Sequence, residues 1–174
     1  MRIAVDMDEV LADTLIKQLE WLNTECGHSL TLADVVGKDL YDFIPEKHGN
    51  QLLELLRQGA FFADLPVMKD SQEVLRRLAE DHEVFIATAA MEFPGSFGPK
   101  FRWLAQHFPF IEPSHIVFCG NKSILHADAL IDDTPRNLAG FQGRGILFSS
   151  PHNVNVTGYA RVSSWREVEE LFRA

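Results

Sequence analysis

Two aspartates, Asp6 and Asp8, directly follow a short apolar segment near the start of the chain. If that segment is a strand, one carboxylate could attack a phosphorus atom while the other handles the proton of the leaving group. A solvated acidic turn is the simpler interpretation, because Asp-x-Asp is a common sequence. The pair indicates nucleophilic chemistry only if further residues support it.

A second acidic pair, Asp132 and Asp133, follows another apolar segment and precedes Pro135, which ends a strand. If the two pairs meet, the crowded carboxylates would have raised pKa values and would cost stability unless a cation were present. A hard divalent ion with oxygen ligands, magnesium above all, resolves that conflict. An Asp-rich turn, or a cap for the helix that follows, is the alternative. The candidate magnesium ligands are Asp6, Asp8, Asp132 and Asp133.

A hydroxyl and an ammonium group follow two other apolar segments. Thr88 directly follows the apolar segment 84–87 and could hold a phosphoryl oxygen. Lys122 comes shortly after the apolar segment 116–118 and could neutralise charge on phosphate. Either residue alone is more often an ordinary surface residue. The order of the four signals, Asp-x-Asp, Thr, Lys and Asp-Asp, is what carries the functional interpretation.

The elements that must position these residues alternate along the chain. Short apolar runs are typical of strands buried on both faces, and the segments between most of them have helical patterns. This alternation predicts an α/β fold with a doubly wound parallel sheet, in which ligands bind at the carboxyl ends of the strands. The predicted strands are residues 3–5, 84–87, 116–118, 129–131 and 146–148.

The helical predictions rest on apolar spacing and on start signals. Phe101, Leu104, Ala105 and Phe108 share one face of a helix, and Asp70 with Glu73 suggests a capping box for the helix at 74–80. Further helices are predicted at 15–22, 51–57, 136–139 and after Ser164.

Residues 14–66 interrupt the alternation, since they contain helical segments and loop signals but no convincing strand. We expect a helical cap at 14–66, inserted after the first strand of a catalytic core formed by 1–13 and 67–174. Residues 95–100 read as a loop near the site, and the seven histidines show no close pair at ligand spacing.

The composition of the chain limits the kinds of partner that the protein can bind. The 174 residues carry a formal net charge of -9, which argues against binding to a nucleic-acid polymer. Cys26 and Cys119 lie in no metal-ligand spacing, so reduced thiols are expected. The first apolar run is too short for a membrane span. We therefore expect a cytoplasmic protein that acts on a small phosphomonoester and has no membrane partner.

The four motifs, in this order, resemble those of the haloacid dehalogenase (HAD) superfamily of phosphatases over nearly the whole chain. Within it the sequence is most similar to the 5'(3')-deoxyribonucleotidase family. The segments that carry this resemblance are DMDEVLAD (6–13), FFADLP (61–66), VFIAT (84–88) and LIDDTP (130–135), with weaker matches at 147–153 and at Ser164-Trp165.

The resemblance implies a phosphoaspartate on Asp6, with Asp8 as general acid and then general base. It also implies magnesium bound by the Asp6 carboxylate, the Asp8 backbone carbonyl and Asp133, and a cap that contacts the base. The candidate base contacts are Tyr41, Phe61 and Phe62. A homodimer is possible by the same resemblance.

Three departures from the family pattern affect specificity. Glu9 replaces a common glycine and Thr14 an aromatic residue, and a tryptophan expected before the Phe-Phe pair is absent. A phosphatase for another small metabolite is therefore an alternative. A phosphate-sensing module is a second one, although Asp8 and the cap favour an enzyme.

Overall fold

Six parallel strands form a single sheet in the computed structural model, which describes residues 1–173. Their spatial order is β3-β2-β1-β4-β5-β6, so the chain runs outward from β1 in one direction and then in the other. This is the doubly wound arrangement that the sequence predicted. The strands are Arg2–Val5 (β1), Glu83–Thr88 (β2), Ile116–Phe118 (β3), Ala129–Asp132 (β4), Arg144–Phe148 (β5) and Ala160–Val162 (β6).

All five predicted strands are present, and β6 is an additional strand at the edge of the sheet. It pairs in parallel with β5, with Leu147 beside Arg161. Two of its three residues are exposed, so it lacks the apolar run by which the other strands were recognised.

The α-helices lie where the sequence placed them, within a few residues at their ends. The largest extension is at α2, which begins at Glu46 rather than at 51, and α4 begins at Phe97 and therefore includes part of the segment predicted as a loop. The helices are Thr14–Cys26 (α1), Glu46–Gln58 (α2), Ser71–Asp81 (α3), Phe97–His107 (α4), Pro135–Ala139 (α5) and Trp165–Phe172 (α6).

Two local predictions about the helices were wrong. Asp70 occupies the N-cap position of α3, but its carboxylate makes no capping bond: the residue is left-handed (φ 64°), and the carboxylate pairs with Arg166 at 3.1 Å. The predicted inner face of α4 is also shifted, since Phe101 is exposed while Trp103 and Lys100 are buried. The shift follows from Lys100, a charged residue on the inner face that a hydrophobic pattern does not count.

The segment 14–66 returns to the point where it leaves the sheet. Asp13 donates its backbone N–H to the Pro66 carbonyl at 2.8 Å, and Met68 donates to the Leu11 carbonyl at 2.8 Å. Inside the segment, His28 Nε2 and His48 Nδ1 lie 2.8 Å apart and link the end of α1 to α2. Sequence spacing gave no sign of this contact, because 20 residues separate the two histidines.

The core on one side of the sheet is formed by strand residues such as Ile3, Val5 and Ile86, together with the helices and the segment 14–66. A smaller cluster around Leu130 and Leu147 covers the other face. Among the described residues, no helix combines the length and the apolar character needed to cross a membrane.

Candidate active site

Asp6 extends from the carboxyl end of β1 into a buried charge cluster. Its Oδ1 lies 2.7 Å from Lys122 Nζ, and the same ammonium group donates to Asp132 Oδ2 at 2.6 Å. The backbone N–H of Asp6 bonds to the Ile131 carbonyl at 2.9 Å, which keeps β1 and β4 in register up to the site. One buried cation therefore holds carboxylates from two neighbouring strands.

Asp132 uses both carboxylate oxygens within the protein. Besides Lys122, its oxygens accept the backbone N–H of Thr134 at 2.8 Å and the Asn137 amide at 3.1 Å. A carboxylate that is already engaged in this way positions its neighbours more readily than it binds a metal directly. Asp132 thus orients Lys122 toward Asp6.

Asp133 is held mainly through its backbone. Its carbonyl accepts a hydrogen bond from the Asn153 side-chain amide at 2.7 Å, and His152 Nε2 lies 3.2 Å from the same oxygen. Asn153 is completely buried and also donates to the Phe148 carbonyl at 2.8 Å. The Asp133 carboxylate has only longer contacts, with Thr134 Oγ1 at 3.4 Å and His152 Nε2 at 3.4 Å, so its oxygens are available to a ligand.

These carboxylates provide the oxygen ligands that a hard divalent cation requires. Asp6, Asp132 and Asp133 each offer one oxygen, and these oxygens all lie within 4.8 Å of one another. All three residues are buried, which is costly for negative charges that Lys122 offsets only in part. The residues present therefore suit an ion with oxygen ligands, such as magnesium.

The raised pKa values of the carboxylates in the cluster also indicate a cation site. Burial raises the pKa of Asp6 to about 7; the Lys122 ammonium opposes this shift, whereas the negative charges of Asp132 and Asp8 add to it. Burial and the neighbouring Asp6 and Asp132 carboxylates also hold the pKa of Asp133 well above its usual range. A bound cation would favour the ionised forms and lower both pKa values.

Lys122 remains charged despite its burial. Desolvation lowers its pKa, but the carboxylates of Asp6 and Asp132 more than reverse this effect and raise the pKa above its ordinary value. A permanent positive charge beside Asp6 is suited to neutralising a phosphoryl group that is joined to that carboxylate.

Asp8 lies two residues beyond Asp6 and is held by different partners. Thr14 Oγ1 donates to its Oδ1 at 3.1 Å, and Lys100 Nζ lies 2.5 Å from its Oδ2. Lys100 also donates to Thr88 Oγ1 at 3.4 Å. Because Thr88 accepts this bond, its own hydroxyl proton remains available for a phosphoryl oxygen.

Glu9 occupies the position where the resembling family commonly has glycine. Its backbone is left-handed (φ 59°), a conformation that glycine adopts freely and that costs other residues about 1–2 kcal/mol. Its carboxylate accepts the Leu15 backbone N–H at 2.7 Å and the Ser150 hydroxyl at 3.3 Å. These bonds offset the strain and join the loop after β1 to the start of α1.

Asp8 separates two cavities. The larger one, about 590 Å³, lies on the side of the segment 14–66 and is lined by Tyr41, Gln18 and His152 among others. The smaller one, about 210 Å³, contains Asp6, Asp133 and Gly120. Asp8 lines both of them, and so lies at the junction between the carboxylate cluster and the larger space.

The three candidate base contacts occupy different environments. Tyr41 is partly exposed on the wall of the larger cavity. Phe61 and Phe62 are buried and pack edge to face on each other, with ring centroids 5.4 Å apart, and line neither cavity. Contact of any of the three with a substrate stays a prediction.

The structure thus brings together Asp6, Asp8, Thr88, Lys122, Asp132 and Asp133 at one edge of the sheet. Sequence reasoning placed Lys100 only in a loop near the site, noted Thr14 only as a departure from the family pattern, and did not assign Asn153 a role; it predicted none of their contacts with the acidic residues. The only signal for Asn153 was its place in the family-like segment at 147–153. For Lys100 the spacing of Lys100, Trp103, Leu104 and His107 was available, but a lysine is rarely assigned to an inner face.

Solved structures with the same architecture show which fold this is. A haloacid dehalogenase-like protein of Agrobacterium tumefaciens superposes with a TM-score of 0.60 at 15% identity, covering 98% of this chain and 96% of its own. A HAD hydrolase of Bacillus subtilis, crystallised with magnesium, superposes with a TM-score of 0.62 at 13% identity, covering 99% and 98%. The fold is that of the HAD superfamily.

The family is shown by sequence. The model of the family described as 5' nucleotidase, deoxy (pyrimidine), cytosolic type C matches residues 1–174, and the chain belongs to this family of phosphoric monoester hydrolases. A Bacillus subtilis 5'(3')-deoxyribonucleotidase is 39% identical over 169 residues, 96% of this chain and 95% of its own. A Staphylococcus epidermidis protein provisionally given the same name is 45% identical over 173 residues, 99% of this chain and 96% of its own.

Proposed function

We propose that this enzyme hydrolyses deoxynucleoside 5'(3')-monophosphates with magnesium, through a phosphoaspartate on Asp6. The observation that carries the proposal is the buried cluster in which Asp6 lies 2.7 Å from Lys122 and within 4.8 Å of the Asp132 and Asp133 oxygens. Membership in the nucleotidase family and the name of the Bacillus subtilis relative support the choice of substrate.

Asp6 is the nucleophile in this mechanism. One of its carboxylate oxygens attacks phosphorus, and the bond from phosphorus to the ester oxygen breaks. Lys122 offsets the negative charge beside Asp6, and the Thr88 hydroxyl donates a hydrogen bond to a phosphoryl oxygen. The product of this step is an aspartyl phosphate and an alcohol.

Asp8 moves the proton in both steps. Protonated when substrate is bound, it donates to the departing ester oxygen, and it then takes a proton from the water that attacks the aspartyl phosphate. Its place between the two cavities supports this role, because a phosphoryl group beside Asp6 would direct the leaving group past Asp8 into the larger cavity. Hydrolysis releases phosphate and restores the Asp6 carboxylate.

Magnesium would be held by Asp6, Asp133 and the Asp8 backbone carbonyl, with Asp132 supporting the cluster. When bound, it would supply positive charge that favours ionised Asp6 and stabilises charge on the phosphoryl oxygens. Residues 14–66 would act as the cap over the nucleoside, with Tyr41 on its wall; for Phe61 and Phe62 a substrate contact would require the cap to rearrange. The cytoplasmic location and the homodimer stay predictions.

The test is phosphate release from a panel of 5'- and 3'-monophosphates of deoxyribo- and ribonucleosides, together with sugar phosphates, with magnesium or with a chelator. We expect magnesium-dependent release that is fastest for deoxynucleotides. The Asp6→Asn variant serves as the blank. Release from sugar phosphates alone would reject the nucleotide assignment and keep the chemistry, whereas binding of phosphate without any release would favour a phosphate-sensing protein.

A further inference from the structure

Lys100 is a buried lysine in the first turn of α4, 12 residues after Thr88. Its ammonium group lies 2.5 Å from Asp8 Oδ2, 3.4 Å from Thr88 Oγ1 and 4.7 Å from the centroid of the Phe62 ring. The three contacts come from three different parts of the chain. Lys100 is therefore a second buried cation of the site, and it is distinct from Lys122, which contacts Asp6 and Asp132.

The other oxygen of Asp8 is held from the opposite direction. Thr14, the first residue of α1, donates its hydroxyl to Asp8 Oδ1 at 3.1 Å and is itself buried. The two oxygens of one carboxylate are thus fixed separately, one by the cap and the other by the core. We call Thr14 and Lys100 the Asp8 clamp.

A gain in folding stability does not explain why Lys100 is buried beside Asp8. Lys100 is buried and Asp8 is partly buried, and in such an ion pair the desolvation of the charges offsets much of their attraction. The position of Lys100 is nevertheless well determined, since Trp103, one turn later on α4, donates its indole N–H to the Leu65 carbonyl at 2.8 Å. This bond anchors α4 to the end of the cap, at the side of the site where Asp8 lies.

We propose that Thr14 and Lys100 are positioning residues that hold the Asp8 carboxylate where it meets the leaving oxygen of the substrate. This inference rests on the proposed function, in which Asp8 donates a proton to that oxygen. The proton passes from Asp8 to the ester oxygen, and Lys100 neither gains nor loses one. A general acid misplaced by about 1 Å can lose about a hundredfold in rate, which sets the scale of the effect.

Two substrates with different leaving groups distinguish positioning of Asp8 from simple binding of phosphate. A nucleoside alkoxide needs a proton as it departs, whereas p-nitrophenolate leaves without one. The test is single-turnover release of the leaving group from a deoxynucleoside monophosphate and from p-nitrophenyl phosphate, with magnesium, for wild type, Lys100→Met, Thr14→Val and Asp8→Asn.

We expect Lys100→Met to slow release from the nucleotide about tenfold to a hundredfold, and release from p-nitrophenyl phosphate by less than about threefold. Thr14→Val should show the same selectivity with a smaller loss, and Lys100→Arg should recover part of the rate. Adding Lys100→Met to Asp8→Asn should cost almost nothing further, since the residue to be positioned is already disabled.

Exposed residues of the same type provide matched controls. Lys69→Met, and Thr24→Val on the same helix as Thr14, should leave both rates unchanged. Thermal unfolding of each variant identifies any loss of folded protein. If Lys100→Met does not fold, Thr14→Val still tests the clamp, because it removes one hydroxyl and keeps both charges.

Equal losses on the two esters, or an undiminished loss in the Asp8→Asn background, would overturn the clamp and assign Lys100 to phosphoryl binding. Failure of the proposed function has a different signature, namely wild-type protein that releases no leaving group from either ester, or Asp6→Asn that retains activity. Either of those results would reject the clamp together with the mechanism.

Discussion

Asp6 lies 2.7 Å from the Lys122 ammonium group, which it shares with Asp132, while the Asp133 carboxylate has only longer side-chain contacts. A nucleophile beside a fixed positive charge can accept a phosphoryl group without leaving that group's charge uncompensated. Single substitutions at this scale can therefore separate nucleophile, acid and supporting residues.

We expect Asp6→Asn to abolish turnover, because a neutral amide cannot form the aspartyl phosphate. Phosphate release and trapping of labelled phosphate on acid-quenched protein measure the two consequences. Asp81→Asn, an exposed substitution at the end of α3, is the matched control and should keep full activity. Substantial turnover by the Asp6→Asn variant would show that Asp6 is not the nucleophile.

Asp8→Asn should slow turnover by roughly two to four orders of magnitude, the usual contribution of general acid-base catalysis. The amide retains the shape of the side chain but can neither donate nor take up the proton. Steady-state rates with the best substrate of the panel measure this effect. A loss below tenfold would contradict the acid-base assignment.

At the scale of elements, the loop after β1 depends on a helix from the far end of the chain. Trp165, at the start of α6, donates its indole N–H to the Val10 carbonyl at 2.7 Å inside the core. This contact gives a physical reason for the Ser164-Trp165 segment that the family resemblance singled out. It supports the loop that carries Asp8 and Glu9.

Trp165→Phe should lower the free energy of unfolding by about 1–3 kcal/mol, because the buried Val10 carbonyl loses its donor. Urea denaturation measures the change. Trp21→Phe, at a partly buried position on α1, is the comparison and should cost less. Equal costs for the two variants would show that ring size, and not the hydrogen bond, determines the effect.

The two predicted helix caps offer a second comparison between elements. Ser164 caps α6 by accepting the Glu167 backbone N–H at 3.2 Å, whereas Asp70 makes no capping bond to α3. We expect Ser164→Ala to cost about 1 kcal/mol. Asp70→Ala should cost less, since it loses only a partly exposed ion pair with Arg166. Thermal or urea unfolding of the two variants decides the order.

At the scale of the whole molecule, the carboxylate cluster links stability to pH and to metal. The pKa of Asp6 and that of Glu9 are both raised to about 7 in the folded protein, chiefly by burial, from ordinary values of 3.8 and 4.5. Between those values and about 7 the folded state binds more protons than the unfolded state. Stability contributed by these groups is therefore present at low pH and is lost as the pH rises through 7.

In the presence of a chelator we accordingly expect the free energy of unfolding to fall as the pH rises from about 5 to about 8. Magnesium should reduce this fall, because it binds the ionised carboxylates of the folded state. Urea denaturation across this range, with magnesium and with chelator, tests both statements. Parallel curves under the two conditions would contradict a metal site in the cluster.

The sequence by itself determined the parallel sheet, the order of the four motif segments and the helical character of residues 14–66. These features are local, since apolar runs and helix spacing depend on neighbouring residues and strand ends direct their side chains to one edge. β6 was not predicted because it is mostly exposed. Asp70 stands at the predicted start of α3 but makes no capping bond, and its carboxylate pairs instead with Arg166, 96 residues away.

Only the tertiary structure decided which residues support the chemistry. Lys100 and Asp8 are 92 residues apart, and Asn153 lies 20 residues from Asp133, so no local pattern connects either pair. A charged side chain on an inner helix face contradicts the rule by which cores are recognised, and only the folded chain supplies the carboxylate that explains it. Sequence periodicity indicates which residues of a chain bury apolar surface. The partners of buried charges depend instead on which segments the fold brings together.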